Sequence, residues 1–271
     1  MENESSLRQS SMIQYQLPDL YRQLLPKEFL SAEIVETKAT CNACNWKSYQ
    51  PQLKCCTYEP YLPNYLVGAL LESPSTAPSA KKALQEKIKR RSYSLPIGMM
   101  ASVKYQVEFN QRKPEDFGNR QDWLCPYYNR ELQNCGVWKY RGAVCSTYYC
   151  QSNYGKKGLR FWEELSGYLT YVEMALMEEV LVHLDFSPRQ ISDCLVYINR
   201  SEGSASELKS HHLPLEKAKK LWNGYFDEQE EFFRKTYHMV KDFDRKRFNE
   251  AMGETGAEIQ DRLLDTMRKV L

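Results

Sequence analysis

Apolar residues recur at helical spacing through the second half of the chain. Leucine and valine side chains across 159–186 repeat at steps of three and four residues, which predicts a long amphipathic helix. An aromatic stripe across 214–250 predicts a second long helix, and Pro214 suits its first turn. A third helix is predicted across 255–271. The second half is therefore expected to be helical.

The pattern in the first half is less regular. At 102–110 apolar and polar residues alternate, and this period of two predicts a strand with one face on the core. The basic segment 81–91 is predicted to be a helix whose charges lie in solvent. The Ser/Pro-rich segment 73–80 predicts a surface loop. Short elements joined by irregular chain are therefore expected here.

Together these patterns predict an α+β, mainly helical fold. We expect a cysteine-rich irregular part with a short sheet to pack on a C-terminal helical part. Because the composition changes after Cys150, we place a cysteine-cluster region at 1–155 and a helical region at 156–271. Both regions are expected to form one compact unit.

Composition and charge exclude several classes of protein. The 271 residues carry a formal net charge of +2, which is too close to neutral to favour a nucleic acid partner. No stretch reaches the roughly 18 consecutive apolar residues of a membrane span, so no membrane insertion is expected. The N-terminal residues lack an apolar segment, so we expect no secretory signal and a cytoplasmic location. Thiols in that reducing compartment stay reduced or bind metal.

The nine cysteines make metal binding the leading hypothesis. Eight of them form two groups, and only Cys194 stands alone, in an apolar segment where a cysteine acts as a small hydrophobic side chain. Eight thiolates match two four-thiolate sites in number, or one cluster with supporting thiols. The candidate metal ligands are Cys41, Cys44, Cys55, Cys56, Cys125, Cys135, Cys145 and Cys150.

The spacing of the first group is typical of a metal-binding turn. Two residues separate Cys41 from Cys44, which lets both sulfurs reach one ion. Cys55 and Cys56 are adjacent, and in an extended segment their side chains would point in opposite directions, so a shared ion requires a turn there. Zinc and a 4Fe-4S cluster both take four thiolates, and a metal-free redox dithiol is a further alternative.

Four other side chains are candidates for supporting roles. Arg141 lies between cysteines, where its guanidinium can offset thiolate charge as a second-sphere partner. Glu179 and His183 are four residues apart and share one face of the first predicted helix. Glu230 interrupts the aromatic stripe of the second. These last three residues are predicted to form a polar pocket that binds metal or holds a proton, the alternative being a solvated helix margin.

One cysteine-containing segment resembles a known family. The sequence LCPYYNRELQNCGVWKYRGAVCSTYYC at 124–150 is similar to the second half of the YkgJ-type family of zinc- or iron-chelating cysteine-cluster proteins. The CNAC and CC sequences of the first group are similar to the N-terminal cysteines of that family, and the resemblance covers about 38–165. The positions that match the family motif are Cys125-Pro126, Cys135, Arg141 and Cys145.

The chain also departs from the family pattern. Ten residues separate Cys44 from Cys55, which is more than the compact spacing of the family. Gly142 replaces a proline and Ser146 replaces an arginine. The resemblance implies that the cysteines bind metal. A related cysteine cluster occurs in flagellin lysine methylases, so the resemblance also suggests protein modification.

The sequence therefore predicts a metal-binding protein whose clustered cysteines hold an iron–sulfur cluster, with a redox or protein-modification role and a protein partner or substrate. The alternative is a zinc-stapled protein-interaction module without catalysis. The sequence contains no glycine-rich nucleotide loop, no G-x-S-x-G and no H-E-x-x-H. Their absence argues against common nucleotide-dependent, serine hydrolase and zinc protease chemistry.

Overall fold

The computed structural model describes residues 13–36 and 49–270. These residues are mainly helical with short antiparallel strands, which confirms the α+β, mainly helical class. The α-helices are α1 (Lys27–Leu30), α2 (Asn64–Glu72), α3 (Pro78–Arg90), α4 (Val103–Asn110), α5 (Ala143–Thr147), α6 (Gly155–His183), α7 (Pro188–Leu195), α8 (Leu215–Leu221), α9 (Gln229–Lys241) and α10 (Arg245–Val270). The strands are β1 (Leu62–Pro63), β2 (Ser94–Leu95), β3 (Gly98–Met99), β4 (Tyr128–Asn129) and β5 (Asn134–Cys135). None of the described helices is long and apolar enough to cross a membrane.

The described chain forms two compact units, each assembled from separate segments. The segments of unit 1 fall within Met1–Ala43, Lys139–Leu176 and Val240–Leu271. The segments of unit 2 fall within Cys44–Trp138 and Met177–Met239. The division expected between residues 155 and 156 lies inside a segment of unit 1, at the start of α6. The composition changes there because a long helix begins, and not because a unit ends.

A three-stranded sheet lies beside a buried helix in unit 2. The strand order is β1-β3-β2, and β3 pairs antiparallel with both neighbours. At the start of α2, the Asn64 side chain donates to the Pro96 carbonyl (3.0 Å) and accepts from the Tyr65 N–H (2.8 Å). Gly68 allows α2 to approach α9 closely, because a Cβ at this position would overlap the Phe233 carbonyl.

The strand predicted at 102–110 is wrong, because this segment forms α4. Ser102 is its N-cap, and the Ser102 hydroxyl accepts a hydrogen bond from the Tyr105 N–H (3.2 Å). Such a cap satisfies one of the backbone donors that a helix leaves unpaired in its first turn. The local hydrogen bond therefore favours a helix where the hydrophobic pattern alone favours a strand.

The alternating pattern of α4 has a different physical origin. Successive odd-numbered residues of a helix lie about 200° apart, so they fall on two opposite faces. Tyr105 and Phe109 pack on Trp123 in an aromatic cluster, whereas Val103 on the other face lies close to Gly203. The period of two thus arises because this helix is buried on two faces.

We expect Ser102→Ala to destabilise the protein by about 1 kcal/mol, because α4 loses its N-cap. The substitution also removes the hydrogen bond between the Ser102 hydroxyl and Nδ1 of His211 (2.8 Å). Urea unfolding measures the difference. Ser79→Ala, at an exposed serine in α3, is the matched control and should change stability by less than about 0.5 kcal/mol. Equal stabilities of the two variants would show that the cap does not support α4.

The second half is helical, as predicted, but its elements are divided differently. The helix predicted at 159–186 is present as α6. The single helix predicted at 214–250 is wrong, since α8, α9 and the start of α10 occupy this range. The first break follows from Asn223 and Gly224, whose φ angles of 44° and 92° are incompatible with a right-handed helix.

The last helix begins earlier than the predicted 255–271 because α10 starts at Arg245. Gly253, with φ 60°, bends α10 near its middle. Within unit 1, the Tyr168 hydroxyl donates to the Gln260 side chain (3.0 Å), so α6 and α10 are joined by a side-chain hydrogen bond.

Candidate metal centre

The predicted metal ligands fall into two groups in the structure. Cys41 and Cys44 lie outside the described residues. Unit 2 contains Cys55, Cys56, Cys125 and Cys135, which we call the hairpin cysteines, and unit 1 contains Cys145 and Cys150, which we call the α5 cysteines. All six are half-buried.

Cys194 differs from these six cysteines. It is fully buried in α7, and burial raises the pKa of its thiol to about 12. The thiol is therefore protonated at neutral pH and unsuited to metal binding. This agrees with its predicted role as a small hydrophobic side chain.

A turn presents the adjacent cysteines Cys55 and Cys56. Lys54 has a left-handed φ of 53°, and the Cys56 N–H donates to the Leu53 carbonyl (3.1 Å). The Lys54 ammonium donates to the Gln133 carbonyl in the β4–β5 loop (2.9 Å), which holds the turn beside the hairpin. The chain therefore turns at Leu53–Cys56 and is not extended there, and the sharing of one ion by Cys55 and Cys56 stays a prediction.

Cys125 lies next to this turn. Its N–H donates to the Cys56 carbonyl (2.8 Å), and its own carbonyl accepts from the Tyr128 N–H (3.0 Å) across a turn that contains Pro126. Tyr128 in β4 is paired with Cys135 in β5. Cys56, Cys125 and Cys135, which are far apart in the sequence, therefore lie on neighbouring backbone segments.

The N terminus of α3 lies against the strand that ends at Cys135. The Ala77 N–H, just before α3, donates to the Gly136 carbonyl (2.9 Å). A Cβ on Gly136 would lie 2.6 Å from the Tyr127 carbonyl and 2.8 Å from Ala80 Cβ, so only glycine allows this close packing. The hydrogen bond and the close packing at Gly136 hold the start of α3 against the end of β5.

Two tyrosines with buried side chains lie between Cys125 and Cys135 in the sequence. Tyr127 is 0% exposed and Tyr128 is 7% exposed, and within the described residues neither hydroxyl has a hydrogen-bond partner. Burial is the main reason that the pKa of Tyr127 is raised, and the charges of Glu59 and Cys125 add to it. An unpaired buried hydroxyl costs about 1–3 kcal/mol. These groups therefore suit a site that accepts hydrogen bonds when it is filled.

The charges of the adjacent cysteines Cys55 and Cys56 also affect the pKa of Tyr128. Burial raises the pKa of Tyr128 first, and the negative charges of Cys56 and then Cys55 raise it further. Both sulfurs thus lie within electrostatic range of one phenol. Cysteine thiolates are ligands of both zinc and iron–sulfur clusters, and metal-bound sulfur accepts hydrogen bonds.

The start of α5, the helix that contains Cys145, is bonded to a buried glutamate that the sequence analysis missed. Glu173 in α6 is 3% exposed, and its carboxylate accepts from the Ala143 N–H at the start of α5 (2.6 Å). Burial raises the pKa of Glu173 to about 8, although the hydrogen bond from Ala143 opposes the shift. Glu173 lies four residues after Leu169 within the apolar stripe, and this position could have identified it from the sequence.

A second acidic residue, Glu36, holds the chain that follows Cys150. Its carboxylate accepts from the Ser152 hydroxyl (2.7 Å), the Asn153 N–H (2.7 Å) and the Trp162 indole N–H (2.8 Å). Three hydrogen bonds to one carboxylate hold this segment in place. The sequence carried no signal for it, because its partners lie more than 100 positions away.

Arg141 is 7% exposed, and its guanidinium donates to the Gln16 carbonyl (3.4 Å). Arg141 lies four residues before Cys145 in the sequence, and the described contact of its guanidinium is with the backbone. The predicted role of Arg141, to offset the charge of metal-bound thiolates, therefore stays a prediction.

The predicted helical pocket consists of partly exposed ion pairs. His183 Nδ1 lies 2.9 Å from the Glu179 carbonyl and 3.4 Å from its carboxylate. Glu230 pairs with Arg234 (3.0 Å) and accepts from the Gln85 side chain (3.3 Å). These contacts are typical of a solvated helix margin, the alternative considered from the sequence, and the pocket stays a prediction.

Within residues 13–36 and 49–270, no three side chains of His, Cys, Asp or Glu converge closely enough to hold an ion. Comparison of the chain with protein-family models, curated proteins and solved structures finds no match. The resemblance to the YkgJ-type family therefore stays a prediction based on cysteine spacing. The functional assignment depends on the local geometry of the site.

Proposed function

We propose that this chain is a metal-binding protein whose clustered cysteines hold an iron–sulfur cluster. The observation that supports the proposal is that backbone hydrogen bonds and strand register place Cys56, Cys125 and Cys135 on neighbouring backbone segments. Together with Cys55, these segments contain four thiols, the number that one cluster or one zinc ion takes. Binding must draw these thiols closer together, so metal affinity and folding are coupled.

An iron–sulfur cluster supplies electron-transfer chemistry when bound. The hairpin cysteines would hold it, and the buried rings of Tyr127 and Tyr128 would exclude water from it. We therefore propose a redox or protein-modification role, with a protein as partner or substrate. A cytoplasmic location suits this role because reduced thiols remain available there.

A second candidate is a zinc-stapled protein-interaction module. The strands β4 and β5 have two residues each, and such a short hairpin is only marginally stable without additional support. A structural zinc ion supplies folding free energy to such segments. Leu132 is 70% exposed and Trp138 is 47% exposed, and these apolar side chains on either side of Cys135 favour a protein partner.

Purification of the full chain without oxygen, followed by metal analysis and visible absorption, tests both candidates. We expect a brown protein with broad visible absorption and stoichiometric iron and sulfide. A colourless protein with stoichiometric zinc would support the zinc-stapled module and overturn the iron–sulfur assignment. A folded protein without bound metal would overturn both.

A further inference from the structure

Two basic segments of unit 2 meet at the C-terminal end of α3. Residues 81–92 contain six lysines and arginines and one glutamate, and residues 209–220 contain four lysines and one glutamate. These segments hold ten of the 37 Lys and Arg residues of the chain but only two of its 35 Asp and Glu residues. A chain with a formal net charge of only +2 therefore has a strong local excess of positive charge.

Hydrogen bonds at Arg91 and Ser92 join the two segments. The Arg91 carbonyl accepts from the Leu213 N–H (2.9 Å), and the Arg91 guanidinium donates to the Leu213 carbonyl (3.2 Å). The Ser92 hydroxyl is hydrogen-bonded to Nδ1 of His212 (2.8 Å), 120 positions away in the sequence. Residues 81–92 and 209–220 thus share one surface, which we call the α3–α8 surface.

A stack of side chains holds α8 against the same end of α3. The ring of Tyr93 contacts the ring of Tyr197 edge to face, with ring centres 5.7 Å apart. The Lys217 ammonium, from α8, lies 5.8 Å from the centre of the Tyr197 ring. Both rings are buried, so they fix the distance between the chain after α3 and the lysines of α8.

Much of the positive charge on this surface is accessible. Lys87 is the exception, because it forms a mostly buried ion pair with Glu59 (2.5 Å). The exposed ion pairs are Arg90–Glu86 and Lys219–Glu216. Such pairs are weak and remain available to a partner. The exposed cations without an ion pair within residues 13–36 and 49–270 are Lys82, Lys89, Lys209 and Lys220.

The chemistry of the α3–α8 surface favours a protein segment over a nucleic acid. Neither 81–92 nor 209–220 contains Phe, Tyr or Trp, the side chains on which single-stranded nucleic acids stack their bases. Leu215, at the start of α8, is 41% exposed, and Leu208, next to the second segment, is 37% exposed. Aliphatic side chains beside lysines match a peptide that carries both acidic and apolar residues.

We propose that the α3–α8 surface docks an acidic segment of a partner protein. Complementary charge accelerates association and fixes the orientation of the partner, and the exposed leucines add apolar contact. The inference goes beyond the proposed metal-binding function, because neither segment contains a cysteine and docking requires no metal.

The test uses the full chain and a fluorescent peptide composed of glutamate and leucine, with binding measured by fluorescence anisotropy. We expect the wild type to bind this peptide and to lose affinity as salt is added, since salt screens exposed charges. Lys89→Glu combined with Lys220→Glu should weaken binding at least about tenfold, because attraction is replaced by repulsion. Lys89→Arg combined with Lys220→Arg keeps the charge and should bind like the wild type.

Lys113→Glu combined with Lys235→Glu is the matched control. It changes the net charge equally, at exposed positions of unit 2 outside both segments. Distant charges are screened beyond about 10 Å at 0.1 M salt, so the control should lose less than about threefold in affinity. Lysines near helix C termini also stabilise the helices themselves. A purely structural role of Lys89 and Lys220 predicts lower stability in urea with unchanged peptide affinity, and would overturn the inference.

Three further results would also overturn it. The wild type might bind no acidic peptide, or the control variant could lose as much affinity as the Lys89 and Lys220 variant. Tighter binding of single-stranded or duplex DNA than of the acidic peptide would assign the surface to a nucleic acid. All of these measurements are made without added metal, so they fail or succeed independently of the metal analysis.

Discussion

Cys125→Ser is expected to weaken zinc binding about 100-fold. Structural zinc sites contribute roughly 10–16 kcal/mol of binding free energy, and the loss of one of four thiolates removes about 3 kcal/mol of it. The backbone N–H of Cys125 donates to the Cys56 carbonyl and so joins the turn at Cys56 to the β4–β5 hairpin. A serine at this position preserves this backbone hydrogen bond. Chelator competition measures the affinity under reducing conditions.

Cys194→Ala provides the matched control for this substitution. Cys194 is fully buried away from the two cysteine groups in sequence, so its loss should lower stability through poorer packing and leave zinc affinity unchanged. Equal zinc affinities for Cys125→Ser and the wild type would contradict the assignment of the hairpin as the metal site. Cys145→Ser, measured in parallel, tests whether the α5 cysteines contribute to zinc binding.

Glu173→Gln is expected to remove a large pH dependence of stability. The usual pKa of a glutamate is about 4.5, whereas burial raises the pKa of Glu173 to about 8 in the folded protein. Between these values the unfolded state loses its proton while the folded state retains it, so stability falls as the pH rises. The stabilisation is full below about pH 4.5 and is lost near pH 8.

The corresponding free energy is at most about 5 kcal/mol. Glutamine has the same shape and can accept from the Ala143 N–H, but it does not ionise. The variant should therefore match the wild type near pH 5 and exceed its stability at pH 9. Urea unfolding at pH 5, 7 and 9 measures this, with Glu163→Gln, at an exposed position of the same helix, as the control. Parallel pH profiles for wild type and Glu173→Gln would contradict the buried carboxyl.

Helical spacing in the second half was sufficient to predict α6, because a long helix with one buried face repeats its pattern many times. The break at Asn223 and Gly224 was not predicted, since the aromatic stripe continues across it while two residues change the backbone conformation. The alternation at 102–110 predicted a strand because a helix buried on two faces has the same burial pattern. Local capping by Ser102 decides between them.

The cysteines were recognisable as candidate ligands from their number and spacing, but their grouping was not. The association of Cys56 with Cys125 depends on a hydrogen bond between distant backbone segments, and that of Cys135 depends on strand register. Neither the hydrogen bond nor the strand register can be recognised from the residues next to each cysteine in the sequence. Glu173 was detectable in principle as a charge within an apolar stripe, whereas Glu179 and His183 were predicted because they lie four residues apart on one helix face.

X-ray absorption spectroscopy of the metal in the full chain, purified without oxygen, tests most directly whether cysteine sulfur holds a metal. We expect a first coordination shell of sulfur at about 2.3 Å from each metal ion. Serine substitution of Cys125 and Cys135 together should abolish that shell. A shell of nitrogen and oxygen only, or a sulfur shell that survives in this double variant, would show that Cys125 and Cys135 do not hold the metal.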